Sequence, residues 1–133
     1  IFLDCPWRER AFWVNDLIVE NKTSLIAFGA VPLHARAFEL ALSQMFPDVD
    51  LIPGMSPSGS FSNRKYILLP TNLLVILTLR DYYWYSGDRD TVMRFLPILQ
   101  RILDTFDQNL NPTAAAFVAE QTGGYYLGIV EYQ

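Results

Sequence analysis

The sequence predicts an all-α protein built from two helical hairpins, and three observations lead there. Apolar residues recur at helical spacing in four segments, Val14 to Phe28, Pro32 to Met45, Thr71 to Ser86 and Asp88 to Phe106. Residues that start or stop helices bound these segments. The third segment is apolar all round and the fourth is amphipathic, an inner and outer pairing that suits an α/α toroid or a solenoid. A lone four-helix bundle fits less well, because each of its helices keeps a wet face.

Taken in order, Val14, Leu17, Ile18, Leu25 and Phe28 define one face of a first helix that ends at Gly29, a residue suited to a C-terminal cap. Pro32 suits the first turn of a second helix, which Ala37, Phe38, Ala41, Leu42 and Met45 continue until Pro47 stops it. A few residues join the two, so they form an antiparallel hairpin over about 14–46. Residues 47–70 hold four prolines, two glycines and five serines or asparagines, with Met55, Phe61 and Tyr66 among them. This reads as a long ordered loop lying over a site.

The third helix, with "NLLVILTL" at its centre, is expected to be buried on several sides, with Tyr82, Tyr83, Trp84 and Tyr85 in the core, and to end at Gly87. Asp88 caps the fourth helix, where Val92, Phe95, Leu96, Leu99, Ile102, Leu103 and Phe106 form the strongest stripe in the chain. Pro97 interrupts that stripe, predicting a kink between Met93 and Pro97 with the helix continuing beyond. The second hairpin spans about 71–109. A C-terminal segment over 110–133 then carries a loop and a short extended stretch. The two hairpins share no self-similarity that would establish a repeat.

With 133 residues the chain suits one domain, and its composition of 51% hydrophobic and 18% charged residues implies a large buried surface. No apolar run reaches the roughly 18 residues of a membrane span, which predicts a soluble protein with no membrane partner. Ten scattered basic residues and a net charge of −4 offer no patch for a phosphate backbone, so nucleic acid is not expected as a partner. Cys5 and His34 stand alone, so no disulfide, no metal and no cofactor is implied, and both read as packing residues. The chain opens on Ile1 without a targeting signal and reads as an excerpt, leaving the compartment open.

The chemistry concentrates in "DCPWRERAFWVND", residues 4 to 16. Glycoside hydrolysis typically uses two carboxyl groups across the scissile bond, with further carboxylates on sugar hydroxyls. Aromatic rings supply platforms for the apolar faces of the sugar. Asp4, Glu9 and Asp16 around Trp7 and Trp13 have that composition, and Pro6 makes the opening residues a rigid turn. Carboxylates among aromatics also occur in solvated segments without any function.

The order Asp4, Cys5, Pro6, Arg8, Glu9, Arg10, Trp13, Asp16 is more specific than any pair of acids. It resembles the active-site motif of the inverting bacterial α-L-rhamnosidases, with eight identities at fixed spacing. The later stretch "DYYWYSGDRDTVMRFLPILQRIL" is similar to a helix, turn and helix of the same family. The resemblance implies that the all-α hairpins form part of an (α/α)6 toroid of the six-hairpin glycosidase type. It implies that residues 1–133 are a partial catalytic domain, that Glu9 is the general acid, and that Asp4, Arg8, Trp13 and Asp16 bind the sugar. The expected substrate is a rhamnose-containing glycoside or polysaccharide.

Trp7 stands where the family often has glutamine, and Phe12 to Asp16 where it commonly has Gly-Trp-Thr-Gly-Asp. These bulkier residues imply a reshaped pocket. The family's catalytic base lies several helices later, and Glu131 reads as an ordinary acid, so the isolated segment is expected to be inactive. It is also expected to self-associate through the apolar helix sides that missing hairpins would cover. The rival reading is a non-catalytic α-helical protein-interaction module.

Overall fold

The computed structural model describes residues 2–3, 7, 10–56, 65–111, 116–117 and 125–128. Four helices account for most of these described residues: α1 (Val14–Phe28), α2 (Val31–Leu42), α3 (Leu69–Ser86) and α4 (Arg89–Gln108). Short strands lie between them: β1 (Phe12–Trp13), β2 (Met55–Ser56), β3 (Lys65–Leu68), β4 (Leu110–Asn111), β5 (Ala116–Phe117) and β6 (Tyr125–Gly128).

Helix ends follow local chemistry. Gly29 and Gly87 adopt the left-handed conformation, with φ of 59° and 68°, and their N–H groups donate to Leu25 and Tyr83 carbonyls. A residue with a Cβ resists that conformation, which is why glycine ends α1 before α2 and α3 before α4. The Asp88 carboxylate accepts the Thr91 N–H at 3.1 Å and starts α4. Pro97 sits inside α4, which continues to Gln108.

The second helix stops at Leu42, short of Met45 and Pro47. Ser43 Oγ donates to the Glu39 carbonyl and Gln44 Nε2 to the Leu40 carbonyl at 2.9 Å, so side chains satisfy carbonyls that would otherwise call for a further turn. Pro70 occupies the first turn of α3, where its missing N–H costs no helical bond.

Helices α1 and α3 run in the same direction. Asn15 meets Thr71, Asn21 meets Thr78, Lys22 pairs with Asp81, and Gly29 lies beside Tyr85, so both sequence numbers rise together along the contact. Each is turned back by its following helix. The core between the hairpins is formed by Leu17 and Leu25 of α1, Phe38 and Leu42 of α2, Val75, Leu79 and Tyr82 of α3, and Phe95, Leu99 and Ile102 of α4. Each large apolar side chain buried here contributes about 1.5–3 kcal/mol.

The segment expected as a loop over 47–70 contains β2 and β3. β1 pairs antiparallel with β2, Phe12 opposite Ser56, and β3 pairs parallel with β6, Lys65 opposite Tyr125 through Leu68 opposite Gly128. A strand therefore precedes each hairpin, β1 before α1 and β3 before α3, and β6 takes the next strand position beside β3. The hairpins repeat in architecture without repeating in sequence.

Several burial expectations need correction. Phe28 and Trp84 are each 80% exposed, and Tyr83 and Tyr85 are exposed too, leaving Tyr82 as the core residue of that aromatic run. Only Tyr82 faces α2, where its ring meets Phe38 at a centroid separation of 5.4 Å, and its hydroxyl donates to Asp88 Oδ2 at 2.7 Å. Burial, followed by the Asp88 partner, pushes its pKa up to about 12. On α4, Leu96 and Leu103 are exposed because the neighbouring helices cover only the Thr91, Phe95, Leu99, Ile102 side of the stripe.

Candidate active site

The motif enters the fold at the start of α1. Arg10 has φ of 52°, a left-handed conformation that costs a non-glycine residue about 1–2 kcal/mol. Past this reversal Phe12 and Trp13 form β1, and Phe12 is buried in the core, fixing the strand. Trp13 is also the N-cap residue of α1, and Asp16 lies in that helix's first turn, where the helix dipole favours its negative charge.

A short chain of main-chain bonds holds this end together. Val14 N–H donates to the Gly54 carbonyl at 2.9 Å, and Gly54 N–H donates to the Tyr66 carbonyl at 2.8 Å. A Cβ on residue 54 would lie 2.9 Å from Leu68 Cγ, so only glycine allows this approach without displacing Leu68. Asn72 anchors the same region from α3: its Oδ1 accepts the Ile52 N–H at 2.8 Å and its Nδ2 donates to the Ile52 and Leu68 carbonyls. The starts of α1 and α3 are thus brought to one end of the molecule, with the β2 strand between them.

Of the residues singled out in the sequence, Trp13 and Asp16 lie at this end, one helical turn apart and both half-buried. Trp7 is 93% exposed. Asp4, Cys5, Pro6, Arg8 and Glu9 lie outside the described residues, as do Phe61 and Glu131. His34 is fully buried: Phe2 packs on its ring, and its Nε2 lies 2.5 Å from Ser24 Oγ.

Two residues that the motif does not contain stand close to it. Glu20, one turn along α1 from Asp16, has Oε2 buried without a hydrogen-bond partner among the described residues. Burial first, and then the Asp16 charge, raise its pKa above the usual carboxylate value. Its spacing of four from Asp16 was visible once a helix was assigned. Tyr66 meets Trp13 edge-on, with centroids 6.2 Å apart and an interplanar angle of 88°. That meeting crosses from one hairpin unit to the next and leaves no local signal.

The family model for the bacterial α-L-rhamnosidase six-hairpin glycosidase domain matches residues 1–127. The chain belongs to that family. It is accordingly two helical hairpins of a six-hairpin glycosidase domain, and the parallel α1 and α3, each turned back by its partner, are the alternation that such a ring repeats. A search of curated proteins returns no match. Membership of the rhamnosidase family makes this a glycoside hydrolase domain, with a carbohydrate as its class of substrate.

Proposed function

We propose that the protein carrying this chain hydrolyses terminal α-L-rhamnosides with inversion, residues 1–133 forming a partial catalytic domain. The observation that carries this reading is that the rhamnosidase family match, over 1–127, contains the whole run from Asp4 to Asp16.

In this reaction Glu9 donates its proton to the glycosidic oxygen as the bond from that oxygen to C1 breaks. A base outside residues 1–133 takes a proton from water, whose oxygen attacks C1 from the opposite face and leaves β-L-rhamnose. Glu9 must be protonated before each turnover, which apolar walls or a neighbouring carboxylate favour. A direct pairing with Arg8 or Arg10 would oppose it. Asp4 and Asp16 bind sugar hydroxyls, Arg8 holds the sugar and the carboxylates, and Trp13 walls the pocket. The partner is a rhamnose-containing glycoside or polysaccharide. Taken alone, the segment lacks the base and is inactive, and it self-associates through uncovered apolar helix sides.

The test is hydrolysis of p-nitrophenyl α-L-rhamnoside by the protein, with the first-formed sugar followed by NMR. Initial appearance of the β anomer supports the reading. Initial appearance of the α anomer, or cleavage of other glycosides but not rhamnosides, would refute it.

A further inference from the structure

Building on the rhamnosidase reading, we propose that Tyr66 forms with Trp13 an apolar corner that receives the C6 methyl group of a 6-deoxy sugar, and so sets the preference for rhamnose. The two rings stand at 88° with centroids 6.2 Å apart, and both are half-buried, leaving part of each open. Rings packed edge to face stand at right angles, so their uncovered carbon surfaces form the two walls of the proposed corner. Trp13 Nε1 is buried and has no hydrogen-bond partner among the described residues, so the part of the indole that meets solvent is carbon.

The corner is fixed by the backbone. Gly54 accepts from Val14, next to Trp13, and donates to the Tyr66 carbonyl, at a position where a Cβ would lie 2.9 Å from Leu68 Cγ. Asn15 and Thr71 join the first turns of α1 and α3 at 3.4 Å between their side-chain oxygens. Asp16, the carboxylate assigned to a sugar hydroxyl, lies one turn from Trp13, so a sugar held there has one side towards acid and another towards carbon.

The chemistry of rhamnose matches that division. Its C6 is a methyl group with nothing to hydrogen-bond, whereas the corresponding hexose carries a hydroxyl there that must be desolvated to enter the corner. A carbon-lined pocket discriminates against an added hydroxyl by at most about a hundredfold. Tyr66 is thus a specificity-determining residue that touches the sugar without taking part in proton transfer.

The test compares kcat/KM on p-nitrophenyl α-L-rhamnoside and p-nitrophenyl α-L-mannoside, which differ at C6. The protein and its Tyr66→Ala, Tyr66→Leu and Tyr66→Phe variants are measured, with folding checked by circular dichroism. Tyr66→Ala is expected to lower the rhamnoside-to-mannoside ratio by about tenfold, mainly through a higher KM for the rhamnoside, with a smaller fall for Tyr66→Leu. Tyr66→Phe keeps the ratio within about twofold, because the ring is retained. An unchanged ratio in the Ala variant, or in the Leu variant if Ala does not fold, overturns the corner while leaving rhamnoside hydrolysis intact. A parent protein inert on rhamnosides overturns the function and the corner together.

Discussion

At the scale of single residues, the buried polar groups do the most specific work. Asn72 is fully buried and its amide satisfies both main-chain groups of Ile52 as well as the Leu68 carbonyl. Asn72→Ala leaves those groups unpaired and should destabilise the protein by about 2–4 kcal/mol, read from urea unfolding. A change within about 0.5 kcal/mol, the range of an ordinary surface substitution, would contradict this role. Two titrating residues give opposite pH dependences. Burial holds the His34 pKa below its ordinary 6.5, so its contribution is present above that pH and is lost as the pH falls through the folded value. His34→Gln should therefore flatten the decline of stability on the acid side of 6.5. Glu20 is raised above 4.5 by burial and then by Asp16, so its contribution is full below 4.5 and is lost as the pH rises through the folded value. Glu20→Gln should gain stability relative to the parent on going from pH 4 to pH 7, and thermal unfolding at both pH values checks it. Little of this was legible in the sequence: Asn72 looks like one polar residue opening an apolar helix, and its partner Ile52 lies twenty residues earlier on a separate loop.

At the scale of elements, sequence order and helix chemistry carried far. The left-handed glycines and the Asp88 cap act within a turn of where they stand, so the residues alone announce them. Gly87 has open space around the position of a Cβ, so Gly87→Ala bears only the backbone penalty, about 1 kcal/mol by denaturant unfolding. A neutral result would mean that the turn relaxes elsewhere. What the sequence did not disclose is which side of α3 faces inward. Its apolar residues surround the helix, so hydropathy has no direction to give. The folded chain buries Thr71, Asn72, Val75, Thr78, Leu79 and Tyr82, and leaves Leu73, Leu74 and Leu77 exposed. The inward threonine and asparagine are affordable only because they find partners: Thr78 Oγ1 donates to the Leu74 carbonyl, and Asn21 of α1 donates to the Thr78 carbonyl. The strands were equally hidden, since β1 with β2 and β3 with β6 pair across long stretches of chain and each is only two to four residues long.

At the scale of the whole molecule, the exposed side of α3, with Leu73, Leu74 and Leu77, and that of α4, with Met93, Leu96 and Leu103, present apolar side chains that no described residue covers. A polypeptide of residues 1–133 should therefore sediment as a concentration-dependent oligomer, whereas a monomer at every concentration would mean that these faces are tolerated in water. The motif from Asp4 to Asp16, which carries the proposed function, was legible in the sequence because its residues are close together in the chain. The Trp13 and Tyr66 corner was not, because folding alone brings it together. The measurement that bears most directly on the account is the effect of Glu9→Gln on two rhamnosides, one with a nitrophenyl leaving group and one with an alkyl leaving group. If Glu9 is the general acid, loss of its proton should lower kcat on the alkyl rhamnoside by about 10²–10⁴-fold and on the nitrophenyl rhamnoside far less, since a good leaving group needs little protonation. An equal loss on both substrates, or none on either, would contradict the assignment of Glu9 as the acid.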